Sequence, residues 1–492
     1  VKKINWVLKP GDASITRRTL LMRSTTIPRK AFNTLRELRN IYTRMLNTTL
    51  EYATENIITS FHKLKALKYR ELRTMYSKVP SHYIHTACQD AATRIKSFKK
   101  NKTKHYAEEI HEELTEHLNL NDKVPKKLKK YLWQKAYEIA KFQVENEMRD
   151  RLTTPEVRNV SVWLDDHTWK IKDEVKVKAE DRELTYFHKV EIATHRGWFS
   201  IELEVTRQFY KLIARGFKPA SIARMKLDER NRRVIIYVSF EKEVEIYKPE
   251  ARLVPVDVNE DTIALLFNTE PILLETNLSK LTLGYYYRRK RIQERNGLTG
   301  RRARRAMSKL REGFRKKDYR YKIANLVVRE ALRVRGVVVI ERLPNGVARF
   351  MVSRIDDKQL RHRVYQAALK GVLNTIIEKA GEYGVPVLEV DPKNTSKKCP
   401  IHDAVIEYGR DRFGVCSAGG ERWHREVVAL SNLFFRALKA LDGGFARRGF
   451  GGVCLDGSPV PLGSTVAHEP ARIPMSLWAR WKTLMQRSNM NK

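Results

Sequence analysis

From Pro28 onward, Phe32, Leu35, Leu38, Tyr42, Leu46 and Leu50 recur at three- and four-residue steps, the spacing that lines one face of a helix. The pattern continues through "FHKLKALKYRELRTMY" and, after a proline break, through "SHYIHTACQDAATRIKSFKK", where Ser81 is placed to cap. Residues 105–152 keep helical spacing while the charge swings from acidic ("AEEIHEELTEH") to basic ("KVPKKLKKYLWQKAYEIAKF"). An all-helical stretch is predicted over 28–153. After "TTPEVRN" the period drops to two, in "VSVWLDDHTWKI", "YFHKVEIATHRGWFSIELEV" and "RRVIIYVSFEKEVEIY", which predicts strands. The early pieces "KINWVLKP" and "TLLMRSTT" are expected to join the same sheet. The helices would then be an insertion into a β-barrel built from 1–27 and 154–250.

A third pattern begins near residue 251. "RLVPVDV" is a short apolar strand ending in Asp257, with "TIALLFN" as its hairpin partner. "RGVVVIERLPN" is a β-branched run ending in Glu341; a helix over about 357–383 then leads through Gly384 to the strand "VPVLEVDP". Strand–helix–strand alternation predicts a mostly parallel, buried sheet. "WHREVVALSNLFFRAL" opens an apolar helix on Glu426, and 442–492 reads as a Gly/Pro-rich tail with one short helix at "SLWARWKTL". The fold class expected is multidomain α+β.

Charge changes this picture most. The 492 residues hold 96 Lys and Arg against 57 Asp and Glu, a formal net charge of +39. A compact fold carrying that field repels itself unless a polyanion neutralises it, and nucleic acid is the expected partner. The run 285–322 concentrates the effect, with 16 Lys/Arg and three acids. Its tyrosines Tyr285 and Tyr286 offer stacking surfaces, and Arg288, Arg289, Arg301, Arg302, Arg304 and Arg305 are candidate backbone contacts. "NTSKK" after the last strand adds Thr395, Ser396 and Lys397 as phosphate contacts. No run of about 18 apolar residues appears, so no membrane span is expected, and the N-terminus has no apolar leader-like stretch. Four scattered cysteines fit a reducing interior.

Singly, Asp257 suits a turn cap, Glu341 a pair with Arg342, and Glu426 a helix dipole. Together they suggest more. Carboxylates at strand ends of an open α/β sheet converge on one crevice, and three converging acids repel unless a divalent cation holds them. Mg²⁺ takes carboxylate oxygens and water, and two such ions about 3.5–4 Å apart serve phosphodiester cleavage.

The combination "VPVDVNEDTIAL", "VVVIERLPN", "VDPKNTSKKCPIH" and "WHREVVALSNL" resembles the TnpB family, RNA-guided nucleases of insertion sequences and relatives of compact type V CRISPR effectors. "YSKVPSHYIHTACQDAATRIKSF" resembles their recognition lobe; "VSVWLDDHTWKI" and "HRGWFSIELE" resemble their wedge domain. The resemblance implies a wedge β-barrel with an inserted helical recognition domain, then an RNase H-like (RuvC) nuclease domain over 251–398 and 422–441. It implies a guide RNA from a transposon end, double-stranded target DNA and two Mg²⁺ ions held by Asp257, Glu341 and Glu426. The resemblance also implies a prokaryotic cytoplasmic, nucleoid-associated location. This chain writes His-Arg-Glu where the family writes His-Arg-Asp. Glu426 adds a methylene, which leaves open a weakened nuclease, a compensated one, or a repressor that binds without cutting; a cut-and-paste transposase on the same fold is a further alternative.

The family also carries a zinc ribbon here. The insert 399–421 offers Cys399, His402 and Cys416, but Gly419 stands at the fourth position. Three ligands suit an open site better than a closed structural one, so a metal-free ribbon-like hairpin stands beside zinc binding, with His424 as a conceivable fourth ligand. Cys88 reads as a core thiol and Cys454 as a tail residue. His82 and His85 suit helix capping or packing as well as nucleic acid, and Trp163, Trp169 and Trp198 read as strand core.

Overall fold

The computed structural model describes residues 5–118, 125–150, 155–179, 182–250, 252–267, 270–296, 300–353, 355–367, 369–409, 411–441 and 471–474. The chain divides into two compact units, Arg17–Lys242, and Val1–Thr16 with Glu243–Lys492. It opens on β1 (Trp6–Leu8) and β2 (Ala13–Ser24) and then forms α1 (Arg29–Glu55), α2 (Phe61–Met75), α3 (His82–His117) and α4 (Lys126–Arg149). Strands follow: β3 (Val162–Leu164), β4 (Trp169–Lys172), β5 (Val175–Ala179), β6 (Arg182–Tyr186), β7 (Lys189–Thr194) and β8 (Gly197–Glu204). A short α5 (Arg207–Ile213) precedes β9 (Lys218–Asp228) and β10 (Arg233–Glu245).

In the unit Arg17–Lys242 the strands run in the order β3-β9-β10-β2-β8-β7-β4, with β5-β6 a separate hairpin. The apolar stripe of α1 and the buried face of α3 share one core with this sheet: Leu35, Leu46, Ile84 and Ile95 belong to the same cluster as Ile192, Val234 and Phe240. Tyr83 crosses from helix to sheet, its hydroxyl donating to the Ala193 carbonyl at 2.7 Å. Helices and sheet therefore share one core. Cys88 is a buried thiol in that core, and His82 pairs with Asp165 at 2.9 Å. Trp169 is buried and Trp163 partly so, but Trp198 is exposed under Lys170 rather than packed in a core.

In the other unit the strands are β11 (Leu253–Val258), β12 (Thr262–Phe267), β13 (Glu270–Glu275), β14 (Val337–Glu341) and β15 (Val387–Val390). The helices are α6 (Leu278–Asn296), α7 (Gly300–Ser308), α8 (Glu312–Arg333), α9 (Val347–Val352), α10 (Lys358–Ala367), α11 (Leu369–Tyr383) and α12 (Arg425–Ala440). The insert forms a three-stranded sheet of β16 (Ile406–Tyr408), β17 (Phe413–Cys416) and β18 (Arg422–His424), and β19 (Ala471–Pro474) lies in the tail. The main sheet has the order β1-β15-β14-β11-β12-β13-β19. Its centre, β11-β14-β15, is parallel.

Two expectations are corrected. Segment 1–27 is split: Trp6 pairs with Leu388 and Leu8 with Val387 at the edge of this sheet, while β2 pairs with β8. An N-terminal strand with an apolar, unpaired edge satisfies its backbone on whichever edge is open, and here that edge is β15. The tail also contributes a strand, β19, parallel to β13; the helix expected at "SLWARWKTL" and Cys454 lie outside the described residues.

Strand parity fixes the layers. Val254, Val256, Val338 and Ile340 meet α8 and α11. The alternate residues, Leu253, Val337 and Val339, meet Leu433 and Ala437 of α12. The turn into β15 rests on Gly384, whose φ is +70° and whose added Cβ would lie 2.4 Å from the Glu245 carbonyl oxygen. Gly384→Ala is expected to lower stability by about 2 kcal/mol or more, through left-handed strain plus a backbone clash. Gly313, in open space at the start of α8, is the control: Gly313→Ala is expected to be neutral or stabilising by up to about 1 kcal/mol. Urea midpoints compare the two.

Candidate active site

β11 and β14 are paired in parallel with Leu253 opposite Val337 and Pro255 opposite Val339. Carried two residues further, that register sets Asp257 beside Glu341, both at the C-terminal ends of their strands. Parity puts both on the α12 side, since Leu253 and Val339 face it. Glu426 lies seven residues before Leu433 and eleven before Ala437, multiples that return to the same helical face. Those eleven residues span about 16 Å of helix, comparable with the about 13 Å of strand from Leu253 to Asp257. Helix α12 packs on this face, and Arg425, the neighbour of Glu426, is close enough to Asp257 for its charge to act on that carboxyl.

Each acid is held. Asp257, buried, accepts from Asn259 Nδ2 at 2.8 Å. Glu341 Oε1 accepts from the Thr395 hydroxyl at 2.7 Å. Asn432 of α12 secures that loop by donating to the Thr395 and Lys398 carbonyls, each at 2.8 Å. Glu426 is fully buried; one carboxylate oxygen pairs with Arg412, and the other lies 3.1 Å from His424 Nδ1 without making a hydrogen bond. Arg412 sits beside β17 at the end of the β16–β17 connection, and its carbonyl accepts from the Arg425 N–H at 2.9 Å. The hairpin is thereby tied to the start of α12.

The electrostatics show what this arrangement lacks. Burial raises the Asp257 pKa, with Asn259, Arg425 and Arg412 opposing the shift. Burial and then the charge of Asp257 push Glu341 up to about 7, against the Thr395 hydroxyl and Arg436. A buried carboxylate whose charge raises its half-buried neighbour calls for a cation. The donors are hard oxygens, and one Glu426 oxygen is buried without a hydrogen bond, so the residues fit Mg²⁺. The three do not close to within 4.8 Å as a single-ion cluster.

Other sequence candidates fare differently. Thr395 is not a phosphate contact: it is buried and its hydroxyl serves Glu341. Ser396 is partly exposed and Lys397 exposed. Tyr285 is buried, which removes it as a stacking surface; Tyr286 is half-buried against His362. Arg289 is engaged by Glu312 and His362. Arg288, Arg302, Arg304 and Arg305 are exposed; the side chain of Arg301 lies outside the described residues. His424 is buried beside Phe413 and Glu426 and is not in the ribbon's ligand group. That group is Cys399, His402, Cys416 and Glu421. Sequence reading missed Arg412, Asn259, Asn432 and Glu421. The one available signal was the polar residue two places after the first acid, in "VDVNED".

A second cluster, His82, Asp165 and His167, also gathers in the unit Arg17–Lys242. The two imidazoles stack in parallel, 3.7 Å apart at 6°, so their in-plane lone pairs do not aim at one point. It reads as a packed turn.

Residues 371–433 match the model of the Cas12f1-like TNB domain, and residues 38–118 match that of the uncharacterized protein MJ0013 family. The chain is 26% identical over 298 residues to uncharacterized protein MJ0857 of Methanocaldococcus jannaschii, covering 59% of this chain and 92% of that one. It is 27% identical over 191 residues to TnpB-like protein MJ0751 of the same organism, covering 37% and 68%. A cryo-EM structure of a Cas12f1-sgRNA-target DNA complex aligns over 85% of this chain and 98% of that chain, with 13% identity and a TM-score of 0.41; a score below 0.5 does not establish a shared fold. The TNB match spans most of α11, all of β15 and the insert, and the first half of α12, within a multidomain protein of mixed α and β structure. The chain is thus similar to a TnpB-like protein over part of its length and carries a stretch that matches the TNB domain.

Raised pKa values make a stability prediction. Below about pH 4.5 the Glu341 carboxyl is protonated in folded and unfolded chains alike. Between about 4.5 and about 7 the unfolded chain releases the proton first, so stability falls as pH rises and levels off above 7. The loss is up to about 3 kcal/mol. Glu341→Gln is expected to flatten this slope and to raise the melting temperature at pH 8 in Mg²⁺-free buffer, as thermal melts across pH will read.

Proposed function

We propose that the chain is an RNA-guided DNA endonuclease that hydrolyses phosphodiester bonds at Asp257, Glu341 and Glu426. The observation that carries the reading is the pairing of buried Asp257 and half-buried Glu341 on adjacent parallel strands, on the face against which α12 packs. This is the crevice end of an RNase H-like (RuvC) sheet, and the reading assigns the unit Arg17–Lys242 to a wedge with its helical recognition part. The net charge of +39 supports polyanionic partners: a guide RNA, here taken to derive from a transposon end, and double-stranded target DNA.

When bound, Mg²⁺ would activate water and stabilise the leaving oxygen, with Asp257, Glu341 and Glu426 as the residues that hold it. The rest is the work of side chains. Thr395 fixes the Glu341 carboxylate, Asn259 fixes that of Asp257, and Asn432 keeps the Thr395 loop from drifting. Arg412, half-exposed, supplies a positive charge at Glu426 that can turn to an incoming phosphate. Base pairing with the guide reads sequence while the protein holds backbone, a role suited to exposed Arg302, Arg304 and Arg305 on α7.

The second reading, an RNA-guided DNA-binding repressor without cleavage, is favoured by one observation: Arg412 occupies an oxygen of Glu426. The test uses the full chain with its copurified RNA, matched DNA, and Mg²⁺ or Mn²⁺. Cleavage is expected, lost on Asp257→Ala by a hundredfold or more, and changed by Glu426→Asp on the order of a hundredfold, since displacements of about 1 Å carry that weight. Binding with no product, restored by Glu426→Asp, would identify the repressor. Strand transfer without bound RNA would identify a transposase.

A second expectation concerns electrostatics. Neutralising Arg302, Arg304 and Arg305 together with Gln is expected to weaken RNA binding uniformly across sequences. It should also flatten the slope of log affinity against log salt by roughly two to three. Filter binding at several ionic strengths measures both.

A further inference from the structure

The insert holds a group of atoms that hydrogen bonding does not explain. His402 Nδ1 lies 3.7 Å from Cys399 Sγ, 3.6 Å from Cys416 Sγ and 3.4 Å from Glu421 Oε1. All four ligand atoms fall within 4.8 Å of one another. One ring nitrogen carries at most one proton and cannot donate to three acceptors. The other Glu421 oxygen is buried and makes no hydrogen bond among the described residues. Both cysteines are buried.

These separations are those of a tetrahedron around one ion. With Zn–S near 2.3 Å and Zn–N and Zn–O near 2.0–2.1 Å, tetrahedral geometry sets S···N edges at about 3.6 Å and N···O edges at about 3.4 Å. Three measured edges fall on those values. Two soft thiolates with an imidazole select zinc over magnesium or calcium.

Gly419 shows why the fourth ligand comes from further along. A Cβ there would sit 2.2 Å from Glu421 Oε1 and 2.2 Å from His402 Cε1. The glycine leaves the space through which the longer Glu421 side chain reaches back. Gly420, at φ +73°, turns the chain, and a tight knuckle closes as Gly420 N–H donates to the Cys416 carbonyl and Cys416 N–H to the Glu421 carbonyl, each at 2.9 Å. The Gly419 N–H points at Cys416 Sγ, 3.5 Å away, the outer contact expected of a ligating sulfur.

We propose that Cys399, His402, Cys416 and Glu421 bind one Zn²⁺ in a closed tetrahedral site, Glu421 taking the corner that Gly419 vacates. The site replaces the open three-ligand or metal-free hairpin read from the sequence. It staples a module whose own apolar core is small, with Ile406 and Trp423 packed against Val427 and Val428 of α12. This inference does not rest on the nuclease reading, and its test contains no nucleic acid.

Full-length protein is stripped and reloaded with Co²⁺ and, separately, with Zn²⁺. Expected are one ion per chain by mass spectrometry, tetrahedral cobalt bands with charge transfer from two thiolates, and zinc-edge absorption counting two sulfurs and two nitrogen or oxygen neighbours. Glu421→Ala is expected to weaken zinc on the order of a hundredfold in chelator competition. Absence of a stoichiometric ion in the wild-type chain, or affinity and spectrum unchanged in Glu421→Ala, overturns the assignment. The wild-type spectra decide the matter even where a variant fails to fold.

Discussion

Two carboxylates set side by side, Asp257 buried and Glu341 half-buried, impose the condition that the rest of this unit answers. Asp257 and Glu341 sit at the ends of β11 and β14 because an apolar, β-branched strand buried on both faces leaves its last position as the first where a charge is tolerable. Parity then commits them to the same face. The charge of Asp257 adds to burial in raising the cost of ionising Glu341. Desolvation of a charge is expensive unless paired, and the protein supplies only partial relief: an amide at Asp257, a hydroxyl at Glu341, a guanidinium at Glu426. A packing scheme built for stability alone would have placed apolar residues here. The arrangement makes sense as a place where charge is delivered from outside.

The same logic operates with the opposite sign on α6 and α7. Part of the basic run is used internally: Arg289 and the buried Lys316 converge on Glu312, and Lys316 also reaches Gln366. These cations consolidate the helices, while the arginines of α7 remain exposed. A residue-type count cannot separate the two populations, because both are arginine and lysine in one helical stretch. Only the position of Glu312 in the fold decides which charges are spent at home and which face a polyanion.

How much was legible follows from the same distinction. The acids at Asp257 and Glu341 were readable because strand periodicity and β-branching are local, and the apolar helix behind Glu426 was readable for the same reason. Tyr285 was misread because three consecutive tyrosines look alike in sequence, while helical phase buries one and exposes another. Thr395 was read as a phosphate contact from its place after a strand; its actual partner, Glu341, is 54 residues away. The edge strand at Trp6 pairs with Leu388, a long-range choice made by whichever edge is open. Glu421 was hidden by an assumption of spacing: a ligand was sought at Gly419, where an added Cβ would lie 2.2 Å from Glu421 Oε1.

The insert bears on the third acid. Glu421 and Glu426 are five residues apart, and β18 joins them directly. The insert's hairpin carries Arg412, whose backbone holds the first residue of α12 and whose side chain holds Glu426. The extra methylene of Glu426 is therefore not free to wander: Arg412 grips one oxygen, and His424 stands by the other. The insert therefore reaches Glu426 by two routes: along the chain through β18, and across the hairpin through Arg412.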